Sequence, residues 1–475
     1  EKSLINGLID YDKKQGWRGP FRNLDYNNMS FSELKKKINN PFPNKWFLVK
    51  VDKVLDNKLL LSNLTKIKFQ IDLQSDLNKW LANEKFSKED ILFIEKTDSE
   101  YTIRQIPKVN GAIIVIDPHS GDILAMSGGF SFKLSEFNRS TQAKRQPGSA
   151  FKPIVYISAL KSGLTPSTLI LDAPYVIDQG PGLPKWKPAN YTDEFYGLTT
   201  MRTGIEKSRN LMTIRLANKI GISKILNSSK DLSIDDNLEE NMSMSLGTGL
   251  VTLIDLTNAY GVIANGGKKI NPKFIKSIYS KGGKKIYDGS HKQCNSCTLE
   301  NISNNEELPV ISNKLKEVLD PKIAYQITSM LEGVVQRGTA KRLKDLKIPL
   351  AGKTGTTNDN KDAWFIGFSP DLVIGVYVGY DKPKSLGYKQ TGSSVAVPIF
   401  KDFIINTNTN KNKTPFRIPS GLSFVNINQK TGLPSNDASS IMEAFVEGTE
   451  PYSKDDINIL DSLGIINNSI SGTGG

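Results

Sequence analysis

The sequence predicts a multidomain α+β protein, in which a small all-β unit precedes a larger module built on one antiparallel sheet flanked by helices. Three observations carry the prediction. Short β-type runs crowd residues 44–107; strand-type pairs lie at both ends of residues 108–405 with helical stretches between them; and 475 residues suffice for more than one core. A hydrophobic share of 38% fits folded domains rather than a disordered chain.

Residues 1–43 read as a linker with an amphipathic piece. At Lys45 the pattern changes. Trp46, Leu48 and Val51 make a first run, Leu59 to Leu61 a second after a turn at Asp56-Asn57, and Ile67, Phe69 and Ile71 alternate strictly in a third. Ile91 to Ile94 and Tyr101 to Ile106 complete five strands, a count that suits a small barrel over residues 44–107.

In the larger module, Gln146-Pro147-Gly148 reads as a turn. Pro153 is tolerated only near a helix start, so a helix must begin within about one turn of Ser149 and continue through Ile154, Val155, Ile157 and Leu160. That sets the Ser149 hydroxyl at a positive helix end with Lys152 beside it. A second helix follows Asn210, through Leu211 to Ala217, and stops at Gly221. Lys353-Thr354-Gly355-Thr356, the turn at 357–360, and the runs Ala363 to Phe368 and Leu372 to Tyr380 read as consecutive antiparallel strands. In them Gly355 would let a substrate backbone approach closely, and Thr354 and Thr356 share a face. Asn406 to Pro415 reads as a linker, and Ser471 to Gly475 as a disordered end.

Three short strings carry the chemistry. Ser149-Ala150-Phe151-Lys152 offers a nucleophile with a lysine one helical turn on; Ser208-Arg209-Asn210 offers a second hydroxyl and an amide; Lys353-Thr354-Gly355-Thr356 offers a strand with a cation, a glycine and hydroxyls. Together they make an acyl-transfer site. Each string alone is weak. SxxK recurs at Ser32 to Lys35 and at Ser158 to Lys161, SxN at Ser303 to Asn305, and Lys-Thr-Gly at Lys430 to Gly432. Context separates them: Ser158 lies inside the helix that Ser149 begins, Ser32 sits beside Lys35-Lys36-Lys37, Ser303 lies in a polar loop, and Leu433-Pro434 marks a surface turn. For Asn210 the competing structural role is helix capping.

The order and spacing of these strings, with Arg145-Gln146-Pro147-Gly148 leading into the first, resemble the penicilloyl-serine transferases. The likeness is greatest to the transpeptidase module of class A penicillin-binding proteins of the 1A type. It extends to Gly111 to Pro118 with Gly121 to Met126, to Met244-Ser245-Leu246-Gly247, Ala259-Tyr260-Gly261 and Ala264 to Gly267, to Gly333 through Ala340, and to Asp362-Ala363-Trp364-Phe365. It covers most of residues 108–405, and residues 406–475 resemble the family's C-terminal extension. The resemblance implies a penicillin-binding transpeptidase fold, similar to serine β-lactamases, and an OB-like domain at residues 44–107. It also implies a missing glycosyltransferase domain and membrane anchor upstream of a fragment that starts at Glu1, and a place at the periplasmic face of the bacterial inner membrane.

The resemblance further implies a peptidoglycan D,D-transpeptidase that cross-links stem peptides through a serine acyl-enzyme and is inhibited by β-lactams. Ser149 is the nucleophile, Lys152 the base, Ser208 the proton relay, Lys353 its support, and Asn210 the group that positions Lys152 and the substrate amide. Thr354, Gly355 and Thr356 bind substrate, and the backbone N–H groups of Ser149 and Thr356 form the oxyanion hole. A D,D-carboxypeptidase or β-lactamase would use the same site, and a non-catalytic penicillin-binding scaffold is the alternative of another class. The site requires no cofactor and no metal.

The formal charge of +13 and a pI near 9.3 suit an anionic partner. The lysines are scattered and form no known nucleic-acid motif, so wall polymer or lipid headgroups fit better. The aromatics of the OB-like region are not interleaved with basic residues, so it reads as a module for a regulatory protein. Cys294 and Cys297 are the only cysteines. With His291 they fall one ligand short of a structural zinc site, and no thioredoxin-like βαβ setting surrounds them. In the extracytoplasmic setting that the resemblance implies, a local disulfide is the expected state.

Overall fold

The computed structural model describes the chain except residues 22–29, 98–99, 179–181, 183, 235–237, 291, 295–310, 314, 408–412 and 453–475. Five strands form between residues 46 and 104: Trp46–Leu55, Lys58–Ser62, Lys68–Asp72, Ile91–Lys96 and Tyr101–Arg104. All pair antiparallel, with the first strand between the second and fourth, the third outside the second and the fifth outside the fourth. The two outer strands meet through Phe69 and Tyr101, whose rings stand edge to face at 5.2 Å. Val49, Val51, Leu59, Leu61, Ile71, Ile94 and Ile103 fill a core of their own. The expected third strand starts one residue late. Ile67 is 56% exposed because Asn63 Oδ1 accepts from the N–H groups of Thr65 and Ile67 and holds a turn there.

Trp46 and Phe93 turn the other way and join the larger core, where Trp46 packs against Phe42 and Phe130. That core surrounds a second antiparallel sheet of five strands, in the order Ala351–Thr356, Asp362–Phe368, Val373–Gly379, Asn110–Ile116, Ile123–Ser127. Helix Leu253–Ala264 covers one face: a Cβ on Gly375 would lie 2.0 Å from Thr257 Oγ1. Helices Lys2–Lys14 and Val397–Asn406 cover the other, where Gly111 meets Leu4 and Leu8, and Gly367 meets Phe400. The strand Ala351–Thr356 is left at the sheet's edge, beside the 3₁₀ turn Gly148–Phe151 and the helix Pro321–Gln336.

Two segments expected to be peripheral are built into this body. The amphipathic piece of residues 1–43 is the helix Lys2–Lys14, which buries Leu4, Leu8, Ile9 and Tyr11 in the main core. In the C-terminal region the strands Leu422–Asn428 and Ser440–Val446 pair antiparallel. Their fully buried Glu443 takes a bidentate ion pair from Arg202. Among the described residues no helix is long and apolar enough to cross a membrane, and no cluster of His, Cys, Asp or Glu could hold a metal ion. The expected Cys294–Cys297 link falls outside the described side chains.

Candidate active site

Pro153 does stand at the start of the helix that follows Ser149. Residues Gly148–Phe151 form one 3₁₀ turn and Lys152–Lys161 continue as an α-helix with Pro153 in its first turn. From Lys152 to Leu160 every side chain is buried, so this helix runs through the interior rather than along a surface. Three backbones meet at its start. Gly148 has φ +53° and donates its N–H to Gly247 O at 3.1 Å. A Cβ on Gly148 would lie 2.4 Å from Thr356 O, one on Gly247 2.1 Å from Gly148 O, and one on Gly355 2.4 Å from Pro147 O. The glycine of Lys353-Thr354-Gly355-Thr356 therefore admits the protein's own Pro147 carbonyl. That contact by itself requires glycine at position 355. Ser149 is half-buried at this junction.

Ser208 is brought in by the way the helix Met201–Glu206 ends. Arg209 N–H reaches back to Gly204 O at 2.9 Å and Ser208 N–H to Ile205 O at 3.1 Å. This is the paired termination that places the residue after the cap in the left-handed region. Ser208 occupies that slot with φ +58°, where glycine would be easier. Its Oγ accepts from Lys353 Nζ at 2.8 Å and from Lys152 Nζ at 3.4 Å. The hydroxyl proton is left to donate elsewhere.

Asn210 opens the helix Asn210–Ile220 but does not cap it with its side chain. Its Oδ1 accepts from Lys152 Nζ at 2.7 Å, and its Nδ2 donates to Ala189 O at 2.8 Å, which fixes the amide's orientation. Lys152 Nζ also donates to Ser208 O at 2.7 Å. The Lys152 bonds thus go to Ser208 and Asn210, and Ser149 stands in the 3₁₀ turn Gly148–Phe151 that leads into Lys152. Lys353 Nζ adds a bond to Thr354 O at 3.1 Å. Both lysine side chains are fully buried. Burial holds Lys152 well below the usual lysine range, the charge of Lys353 pushes the same way, and Asp172 opposes both. Burial also lowers Lys353, to about 7.

Thr354 Oγ1 lies 2.7 Å from Thr339 Oγ1, and Thr356 Oγ1 accepts from Gly392 N–H at 3.1 Å. Each hydroxyl retains capacity for a further bond. Thr339, itself held by Ser393 Oγ donating to its carbonyl at 2.7 Å, escaped the sequence reading. So did Asn190, whose Oδ1 accepts from Asn210 N–H at 2.9 Å. Asn190 sits in no motif or periodic stretch, and Thr339, inside the stretch Gly333 to Ala340 that resembles the family, carries no chemistry there that singles it out.

The repeated strings fall where context placed them. Ser158 Oγ donates to Ile154 O inside the helix, and Lys161 pairs with Asp231 at the surface. Ser32 is exposed in the short helix Phe31–Lys37. Lys430-Thr431-Gly432 is a turn closed by Gly432 N–H donating to Asn428 O at 2.8 Å. Ser303 to Asn305 lie outside the described residues.

Residues 111–405 match the family described as the penicillin binding protein transpeptidase domain. Penicillin-binding protein 1A of Rickettsia bellii is 42% identical over 97% of this chain and 59% of its own length. That of Pseudomonas aeruginosa is 31% identical over 91% of this chain and 58% of its own. The chain thus spans less than two thirds of the curated relatives it matches. The crystal structure of penicillin-binding protein 1A from Haemophilus influenzae superposes with a TM-score of 0.81 at 27% identity, covering 95% of this chain and 70% of that one. With the family's fold on residues 111–405 and relatives of one type along nearly its whole length, this chain belongs to the penicillin-binding proteins and resembles the 1A type throughout.

Proposed function

We propose that the site is a D,D-transpeptidase centre that cross-links peptidoglycan stem peptides through an acyl-enzyme on Ser149. One observation carries the reading most directly: Ser208 Oγ bridges two buried lysines of lowered basicity, one of them a helical turn from Ser149. In the first half-reaction, neutral Lys152 takes the Ser149 proton as Oγ bonds to the penultimate D-alanyl carbonyl carbon. The C–N bond then breaks, and the proton passes through Ser208 to the departing D-alanine nitrogen. In the second, an amine of a neighbouring stem peptide attacks the ester, its proton leaves by the same route, and Ser149 is restored.

Each supporting role follows from a contact. Lys353 holds Ser208, Asn210 holds Lys152, and Thr354 and Thr356 present hydroxyls to the terminal carboxylate. Backbone N–H groups of Ser149 and Thr356 receive the oxyanion, each contributing about 3–4 kcal/mol. A β-lactam would acylate the same oxygen. In the same reading residues 44–107 are an OB-like module for a regulatory protein, residues 108–405 the catalytic module, and 406–475 an extension. The chain then works at the periplasmic face of the inner membrane, anchored by segments upstream.

The test uses a stem-peptide donor with and without an acceptor amine, read by product mass. Cross-linked product only with acceptor supports the transpeptidase. Release of D-alanine by water at the same rate in both would assign a carboxypeptidase, and absence of turnover with intact Ser149 a scaffold.

A further inference from the structure

The geometry points to Asp172 as a positioning residue that holds Lys152 through Asn190 and Asn210 and sets the charge balance around it. This rests on the reading of Lys152 as the base. Asp172 ends the strand Leu169–Asp172 and is fully buried. One carboxylate oxygen accepts from Asn190 Nδ2 at 2.8 Å, and the other from Arg209 Nη1 at 2.9 Å. Asn190, also buried, turns its own Oδ1 to the N–H groups of Asn210 at 2.9 Å and Leu211 at 3.3 Å. These are first-turn donors that a helix leaves without intrahelical partners. Asn190 thus does the capping that Asn210 was eligible to do, and the Asn210 amide is free to accept from Lys152 Nζ. Arg209 stands between Ser208 and Asn210 in the chain. Its guanidinium lies 3.1 Å from the centre of the Tyr196 ring, in the loop that leads to the partner strand Gly197–Thr200.

The electrostatics point the same way. The charged groups facing Lys152 are Lys353 from the edge strand and Asp172 from the hairpin, with Arg209 paired onto Asp172. Tyr156, one turn along the same helix, feels Asp172 and Arg209 too, and burial pushes its phenol up. Lys353 and burial favour the neutral amine, while Asp172 favours the protonated one. A base must both take a proton and give it back, so an opposing carboxylate keeps Lys152 from being held neutral too strongly to do so. Arg209 moderates that carboxylate.

The test is the rate of acylation by a fluorescent penicillin against pH, on the full chain, for wild type, Asp172→Asn, Arg209→Gln and Asn190→Ala, with thermal melts alongside. Neutral Lys152 defines the acid limb. Losing the carboxylate moves that limb to lower pH, losing the guanidinium moves it to higher pH, and Asn190→Ala lowers the plateau about 100-fold with the limb unmoved. Limbs that coincide with wild type in folded Asp172→Asn and Arg209→Gln, or that move together, overturn the inference. If Asp172→Asn does not fold, Arg209→Gln decides, and an unmoved limb overturns it. Full acylation after Lys152→Ala would overturn the underlying reading instead, and needs no change at Asp172 to be seen.

Discussion

Ser208 holds a backbone conformation that costs a non-glycine residue about 1–2 kcal/mol, so its side chain must be the reason for its presence. The hydroxyl is what both lysines bond, and its φ of +58° aims it between them. Ser208→Gly should therefore separate the two roles. Its melt should lie within about 1 kcal/mol of wild type, because relief at φ offsets lost hydrogen bonding, while penicillin acylation should fall by about 100-fold or more. Denaturant unfolding and labelling rates check it, and a large loss of stability with normal labelling would contradict it. At this scale the sequence was informative where residues sit in strings. Ser149, Lys152, Ser208, Asn210 and Lys353 could be picked out because each repeated string failed on local context. Asn190 and Thr339 could not, since each acts on a residue 20 or 15 positions away through a contact that neither propensity nor periodicity records.

Elements bring these residues together by approaching more closely than side chains allow. The turn before Ser149, the turn ending at Gly247 and the edge strand at Gly355 are glycine-to-backbone contacts. Gly247→Ala would set a Cβ 2.1 Å from Gly148 O at a φ of +77°. We expect it to cost about 2–4 kcal/mol and to slow acylation, although Gly247 carries no chemistry. Equal stability and labelling in the variant would show that the turn does not hold Ser149. The strands were legible because period two and turn residues specify them locally, as at Phe69 and Ile71. The helix that follows Ser149 has no polar face to read, and its start was legible from Pro153 and the turn before it. The contact of Gly355 with Pro147 was not legible, because only the folded chain brings the two together.

At the scale of the whole molecule, the helix Lys2–Lys14 and the hairpin bearing Glu443 belong to the body that holds the site. The amphipathic pattern of the helix could not say what it would pack against, which is why 1–43 read as a linker. The buried lysines give this body a signature in pH. Lys353 is lowered to about 7 when folded, against about 10.4 unfolded, so between these values the unfolded chain holds the proton more tightly and stability rises with pH. Tyr156 and Tyr260, raised by burial, act in the opposite sense only above about 10. The melting temperature should climb from pH 7 to about 9.5, and less so in Lys353→Met. A climb of equal size in that variant would place the titration elsewhere. If Ser149 alone of the serines in this chain is the nucleophile, a mass spectrum of the penicillin-treated protein after proteolysis should carry a single adduct on Ser149 that is absent from Ser149→Ala. An adduct on another residue, or one that persists in Ser149→Ala, would overturn the assignment.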